Sequence, residues 1–246
     1  MTGDQNHCRH RDLAVRFTAL LERVGLGPHS GGTYRLLDER YSEPGRHYHT
    51  LNHIGYCLGQ LDGVREQMHD SDAAELALWF HDAVYETGAD DNELRSALLF
   101  DRHLGIHLPS GRADRIHAMI MATVHPSGAV DRDAQFVADI DLSGLALSRE
   151  AFRRDTEDLR RERHHLTNSQ FELGTVGFFR KLMAGPSIFL TDHFRANHEQ
   201  PALRNIVELI NEMETGSTGK SATKSTPAPI TSVRIERPRR SRPRTR

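Results

Sequence analysis

Among the groups of side chains in this 246-residue chain that can do metal chemistry, the most telling is His81-Asp82. The pair is set inside the apolar run Leu76-Ala77-Leu78-Trp79-Phe80-His81-Asp82-Ala83-Val84-Tyr85. Two polar side chains in a segment of core composition carry a desolvation cost that folding tolerates only when something satisfies them. A bound divalent cation would satisfy both. Three further groups supply partners: Arg46-His47-Tyr48-His49-Thr50-Leu51-Asn52-His53, Thr123-Val124-His125 and Asp139-Ile140-Asp141-Leu142-Ser143. His49 and His53 are spaced i, i+4, so on a helix both rings leave the same face. His81 and Asp82, about 100° apart on a helix, can still converge on an ion lying between their directions. Imidazole nitrogens with carboxylate oxygens and no thiolate suit Mn²⁺, Fe²⁺, Co²⁺, Ni²⁺ or Zn²⁺. Cys8 and Cys57 are the only cysteines, too few for a disulfide framework or a zinc ribbon. Any metal is therefore expected on His, Asp or Glu.

These side chains need helices to position them. No convincing period-two alternation occurs, and apolar residues recur at helical spacing between short Gly, Pro, Asp and Asn loops. An all-α domain over residues 1–214 is predicted. Leu13, Phe17, Leu20, Leu21 and Val24 form a first stripe, ended by Gly25-Leu26-Gly27-Pro28. Tyr48 to Leu61 places Leu51, Ile54, Leu58 and Leu61 on one face. Ala73 to Tyr85 is apolar around most of its circumference, the mark of a central buried helix. Asn92 to Leu104 is expected to stop at Gly105, a helix capped by Ser110 to run to His125, and another to span Phe136 to Leu147. Two or three more fill Arg149 to Met213, interrupted near Gly174 and Gly185-Pro186.

From Thr215 to Arg246 nine Lys or Arg face the single acid Glu236, about +8 within a net charge of -2, so the rest carries about -10. That tail, 215–246, is rich in Ser, Thr and Pro and poor in large apolar residues, and is read as disordered. Weak polyanion contact belongs to it rather than to the acidic body, which repels nucleic acid in general. No run of 18 apolar residues exists, so no membrane span is expected. The start, Met1-Thr2-Gly3-Asp4, lacks a secretory pattern, which predicts a cytoplasmic protein.

The order H…HD…D resembles the HD-domain superfamily of metal-dependent phosphohydrolases, an all-helical fold. The resemblance extends to a small bacterial subfamily of predicted HD phosphohydrolases. Its traits stand here as Tyr41-Ser42-Glu43-Pro44-Gly45-Arg46-His47-Tyr48-His49 with His53, Leu78 to Tyr85, Asp91-Asn92-Glu93 with Ser96-Ala97, Thr123 with His125, and Asp139 to Leu142. A bare His-Asp dipeptide carries no weight; five blocks in the correct order, over about residues 11 to 214, do. The resemblance implies His53, His81, Asp82 and Asp141 as metal ligands, with Asp139 the alternative to Asp141. His49 is similar to the histidine that protonates the leaving oxygen in related cyclic-nucleotide phosphodiesterases, a role suited to a side chain that titrates near neutrality. Arg161-Glu162 resembles an Arg-Glu pair of the subfamily. The chain departs from the pattern at Arg163, usually an aromatic, and at Thr175, usually an Arg, so the family's substrate-binding detail does not carry over.

The expected activity is hydrolysis of a phosphate ester or anhydride in a nucleotide or other small phosphorylated metabolite. A divalent metal (Mn, Fe, Co, Ni, Mg or Zn) would neutralise phosphoryl oxygens and activate water. Asp82 would also accept a hydrogen bond from that water, and Arg46 or His125 would hold the phosphate. Asn92 and Glu93 open a helix whose N–H groups can help an anion, although capping is the simpler role for Asn92. His125 is alternatively a second-metal ligand. Two other readings compete: a di-iron oxygenase recruiting His125 and His117, and a non-catalytic nucleotide sensor whose tail contacts nucleic acid.

Overall fold

A computed structural model of the chain describes the backbone of residues 3–125 and 128–218 and the side chains of 12–125 and 128–215. These residues form α1 (Gly3–Arg23), α2 (Ser30–Tyr41), α3 (Leu51–Val64), α4 (Ser71–Phe80) and α5 (Asn92–His103). After them come α6 (Ser110–Met121), α7 (Arg132–Leu142), α8 (Arg149–Glu162), α9 (Asn168–Leu182) and α10 (Asp192–Thr218). Among the described residues there is no strand, and no helix is long and apolar enough to cross a membrane.

Helix α4 is the hub. All of Ala73 to Phe80 is buried, and the helix packs against α1, α3, α5, α6 and α7. Trp79 meets Phe17 edge-on at 5.0 Å between centroids, and Phe80 meets Phe100 at 5.5 Å. Burial of aromatic side chains stabilises this centre by roughly 2–3 kcal/mol each. Glu75 faces α1 and the end of α3 from the same helix and is fully buried. It is bonded by Arg16 at 2.7 Å and also by Arg65 and Arg23. Three guanidiniums around one carboxylate meet the desolvation cost of its charge.

Two carboxylates of α7 fix that helix. Asp133, fully buried, accepts from the backbone N–H groups of His69 and Asp70, both at 2.9 Å, and from Arg115 at 3.0 Å. Asp139 accepts from the N–H groups of Leu190 and Thr191 and from the Thr191 hydroxyl, each at 2.7 Å. Residues i and i+2 on a helix point about 200° apart. Because Asp139 is turned to the α9–α10 loop, Asp141 is turned the other way.

Several boundaries differ from the sequence expectation. Ser30–Tyr41 is helical without having been expected; its buried residues, Thr33, Leu37 and Tyr41, are spaced i, i+4, i+8, a stripe too thin to read among polar neighbours. The central helix ends at Phe80, not Tyr85, with His81 as its C-cap. Pro109 rather than Ser110 occupies the N-cap of α6. Phe136 to Leu147 is not one helix: α7 closes at Leu142 and a 3₁₀ turn follows over Ser143–Ala146. Helix α9 runs through Gly174, because burial of Phe171, Val176, Phe179 and Leu182 outweighs a glycine's cost of about 1 kcal/mol. Gly25, with φ +79, does end the first helix, in a conformation other residues resist. Helix α10 extends past Thr215 to Thr218, and the remaining expectation of a disordered, polyanion-contacting tail, 219–246, lies outside the described residues.

Candidate metal centre

Helix ends bring the polar groups together. His53 lies in the first turn of α3, where Thr50 caps the helix by accepting from the Asn52 N–H at 3.3 Å. His49 therefore precedes the helix instead of sharing its face with His53, which corrects the i, i+4 expectation; the two rings still lie 6.3 Å apart. His81 caps the C-terminus of α4, and the chain leaves the helix there, so Asp82 is aimed by a turn and not by helical phase. Asp141 comes from the last turn of α7.

Four side chains converge. His53 Nε2 lies 3.2 Å from His81 Nε2, 3.1 Å from Asp141 Oδ1 and 3.6 Å from Asp82 Oδ2. His81 Nε2 lies 3.0 Å from Asp82 Oδ2 and 3.3 Å from Asp141 Oδ1. Donor atoms held about 2.1 Å from one ion at octahedral or tetrahedral angles stand roughly 3.0–3.5 Å apart. The observed spacings fit that requirement. His81 Nδ1 is 2.9 Å from the Leu78 carbonyl and donates to it, so in the neutral ring the Nε2 lone pair faces the cluster. A metal-binding histidine is oriented in this way.

The electrostatics ask for positive charge at the same point. Burial opposes protonation of His81, but Asp82 and Asp141 outweigh it and push its pKa well above the ordinary value. Burial opposes ionisation of Asp141 and Asp82 as well. His81 chiefly overcomes it in both, with His125 and His53 adding to the effect at Asp141 and His49 at Asp82, and both carboxyls are held below the usual range.

His53, Cys57, His81 and Asp141 form a cluster that could hold a metal ion. Within it Cys57 Sγ is 3.6 Å from His53 Nε2 and 3.9 Å from Nδ1. A sulfur sharing an ion with Nε2 would lie beyond that nitrogen, about 5 Å from Nδ1. Cys57 instead sits beside the ring, as packing, and Asp82 is the better-placed fourth donor.

Beside the cluster a cleft of about 550 Å³ is lined by Asp82, Asp141, His49, His125 and Glu93. His125 Nε2 meets Asp141 Oδ2 at 2.9 Å, so Asp141 offers one oxygen to the cluster and the other to His125. Glu93 has its pKa raised by burial and by the nearby Asp82 and Asp141. Arg46 and Asn92 are not brought to the cleft. Arg46 donates to the carbonyls of Asp82 at 2.7 Å, Ala83 at 3.2 Å and His49 at 3.2 Å, and pairs with Glu43. It ties together the two segments that carry His49 and Asp82. Asn92 closes its own loop by bonding the Glu86 N–H at 2.9 Å and carbonyl at 3.0 Å. Asp139 is spent on the α9–α10 loop, and His117 is bonded to Asp101 at 2.7 Å rather than to the cleft.

Glu162, noted in the sequence only as part of the Arg161-Glu162 pair, completes the arrangement. One oxygen accepts from the N–H groups of His47, Tyr48 and His49 at 2.8, 2.8 and 2.9 Å, and the other meets His49 Nδ1 at 2.6 Å. Burial is outweighed by these contacts, His49 foremost, and the Glu162 pKa falls to about 2. The signal was its phase: Phe152, Leu159 and Glu162 share one side of α8, so a carboxylate falls where the helix otherwise buries apolar groups. Tyr85 stacks on the His49 ring at 4.0 Å. No protein-family model, curated protein or solved structure matches this chain significantly.

Proposed function

We propose that the chain is a cytoplasmic metal-dependent phosphohydrolase of the HD-domain type, acting on a nucleotide or another small phosphorylated metabolite. The observation that carries this reading is the convergence of His53, His81, Asp82 and Asp141 at separations of 3.0–3.6 Å beside the His49–Glu162 pair. The ordered resemblance of the sequence blocks supports it. A divalent ion held there supplies charge neutralisation for a phosphoryl group and makes water more acidic.

The chain's own groups supply the rest. Hydrolysis forms a bond from water oxygen to phosphorus and breaks the bond from phosphorus to the leaving oxygen. Asp82, at the boundary of cluster and cleft, accepts the hydrogen bond of the attacking water. His49 gives its Nε2 proton to the leaving oxygen, while Glu162 accepts from Nδ1–H and keeps the ring oriented. Three backbone donors hold Glu162 still, so His49 is aimed without reorganisation. His125 and Glu93 face the substrate from the cleft wall. Of the extra ligands that the di-iron alternative would recruit, His125 lies beside Asp141 while His117 is committed to Asp101.

Metal analysis of the purified chain, followed by a hydrolysis screen of phosphorylated metabolites with Mn²⁺, Mg²⁺, Fe²⁺, Co²⁺ and Ni²⁺, tests the proposal. Metal-dependent turnover lost in His81→Ala is expected. Metal-free protein with no turnover under any of these ions would remove it.

A further inference from the structure

The cleft has two unlike walls. One carries the carboxylates Asp82, Asp90, Glu93 and Asp141. The other, from α8 and α9, is mainly apolar, with Phe152, Leu159, Phe171, Phe178 and Phe179 around the carboxylate Asp155. Among the described lining residues, Arg163 is the one Lys or Arg. It follows Glu162 at the C-cap of α8, beside the Tyr85 hydroxyl. Its neighbours are spent locally: Arg160 bonds the Leu166 carbonyl and Asn168, both at 2.9 Å, and Arg161 pairs with Asp158 at 2.9 Å. Among the described residues, no carboxylate forms an ion pair with Arg163.

The Arg163 side chain is hydrogen-bonded to the Tyr85 hydroxyl, and a guanidinium at a cleft without a carboxylate partner keeps further donors for an anionic group of a ligand. The carboxylates on both sides of the cleft set the limit on charge. One phosphoryl group can be matched by Arg163 together with a cation at the His/Asp cluster, but each added phosphate would face Asp90, Glu93 and Asp155 without a partner. The phenylalanine wall, in turn, fits a ring-sized apolar body, whose removal from water favours binding there.

We infer that Arg163 is the anion-recognising residue of this cleft, and that the ligand is a phosphomonoester of an apolar, ring-bearing alcohol rather than a di- or triphosphate. The inference rests on the function proposed above. In the complex the phosphoryl group lies between the cluster and Arg163, and the ring lies against Phe171, Phe178 and Phe179. Arg163 thus adds specificity to a site whose ligand set alone would accept many phosphates.

Calorimetry on the full-length, Mn²⁺-loaded chain tests this with phenylphosphonate, which cannot be hydrolysed at phosphorus–oxygen ester bonds because it has none. Arg163→Met is expected to weaken its binding about ten- to a hundredfold, with metal content and melting temperature kept, and Arg163→Lys to recover part of the loss. Methylphosphonate, lacking the ring, is expected to bind at least about tenfold more weakly. Equal binding by wild type and both Arg163 variants, or tighter binding of Mn²⁺-saturated ATP than of phenylphosphonate, would overturn the inference. Phenyl phosphate separates the two readings. If it is not turned over while phenylphosphonate binding still depends on Arg163, hydrolysis is lost and recognition by Arg163 stands.

Discussion

At the scale of single residues, the site divides into groups that would hold a cation and groups that would hold those groups. His81 belongs to the first set and Glu162 to the second. Glu162→Gln keeps an acceptor for the three N–H groups but loses the charged contact with His49. It is expected to lower kcat about a hundred- to ten-thousandfold with metal content unchanged, the range for loss of an oriented general acid. Loss of metal in this variant would show that Glu162 supports the cluster instead. Its acid response has a definite sign. The Glu162 pKa is about 2 in the folded chain against an ordinary 4.5. The stability it confers is complete above pH 4.5 and is lost as the pH falls toward 2. Denaturant titrations across that interval should show a shallower decline for Glu162→Gln than for wild type; parallel declines would contradict the assignment.

At the scale of elements, α7 uses two aspartates two residues apart for opposite purposes, and substitution separates them. Asp139→Asn leaves donors without their charged acceptor and is expected to cost about 1–3 kcal/mol of stability while metal binding persists. Asp141→Asn is expected to lose the metal with a smaller change in melting temperature. Chemical denaturation paired with metal analysis reads both, and loss of metal in Asp139→Asn alone would reverse the roles. Element existence was legible in sequence wherever apolar periodicity was dense, as in α1, α4 and α5. It was not legible in α2, where three buried residues sit among polar ones. The apolar run marked only His81-Asp82 as polar groups in need of a partner; His53 and Asp141 were joined to them in the sequence through the family resemblance, and the fold brings all four together. The end of α4 at Phe80 was hidden, since Ala83-Val84-Tyr85 continues the apolar pattern while the backbone turns to aim Asp82. Arg46 and Asn92 looked like anion binders from type and position. Arg46 instead bonds Glu43 and the carbonyls of His49, Asp82 and Ala83, and Asn92 bonds the Glu86 backbone within its own loop, partners that residue type does not reveal.

At the scale of the whole molecule, a buried hub helix and the turn after it deliver His81 and Asp82 to the point where α3 and α7 deliver His53 and Asp141. The site therefore depends on packing far from it. Glu75, on the same helix as His81, joins three arginines from α1 and the turn after α3 into one network with Asp62 and Asp72. Glu75→Ala takes the shared carboxylate from three arginines that keep Asp62 or Asp72 as partners, an expected cost of about 1–3 kcal/mol. Thermal unfolding would register it, and a melting temperature equal to wild type would show the network to be dispensable. The central claim is that His53, His81, Asp82 and Asp141 hold one divalent ion. Its most direct test is the metal-to-protein ratio of the purified chain, measured by mass spectrometry beside His81→Ala, Asp141→Asn and Asp139→Asn. The account expects bound metal in wild type and Asp139→Asn and none in the other two, with all four chains folded by circular dichroism. Undiminished metal in folded His81→Ala and Asp141→Asn would contradict it.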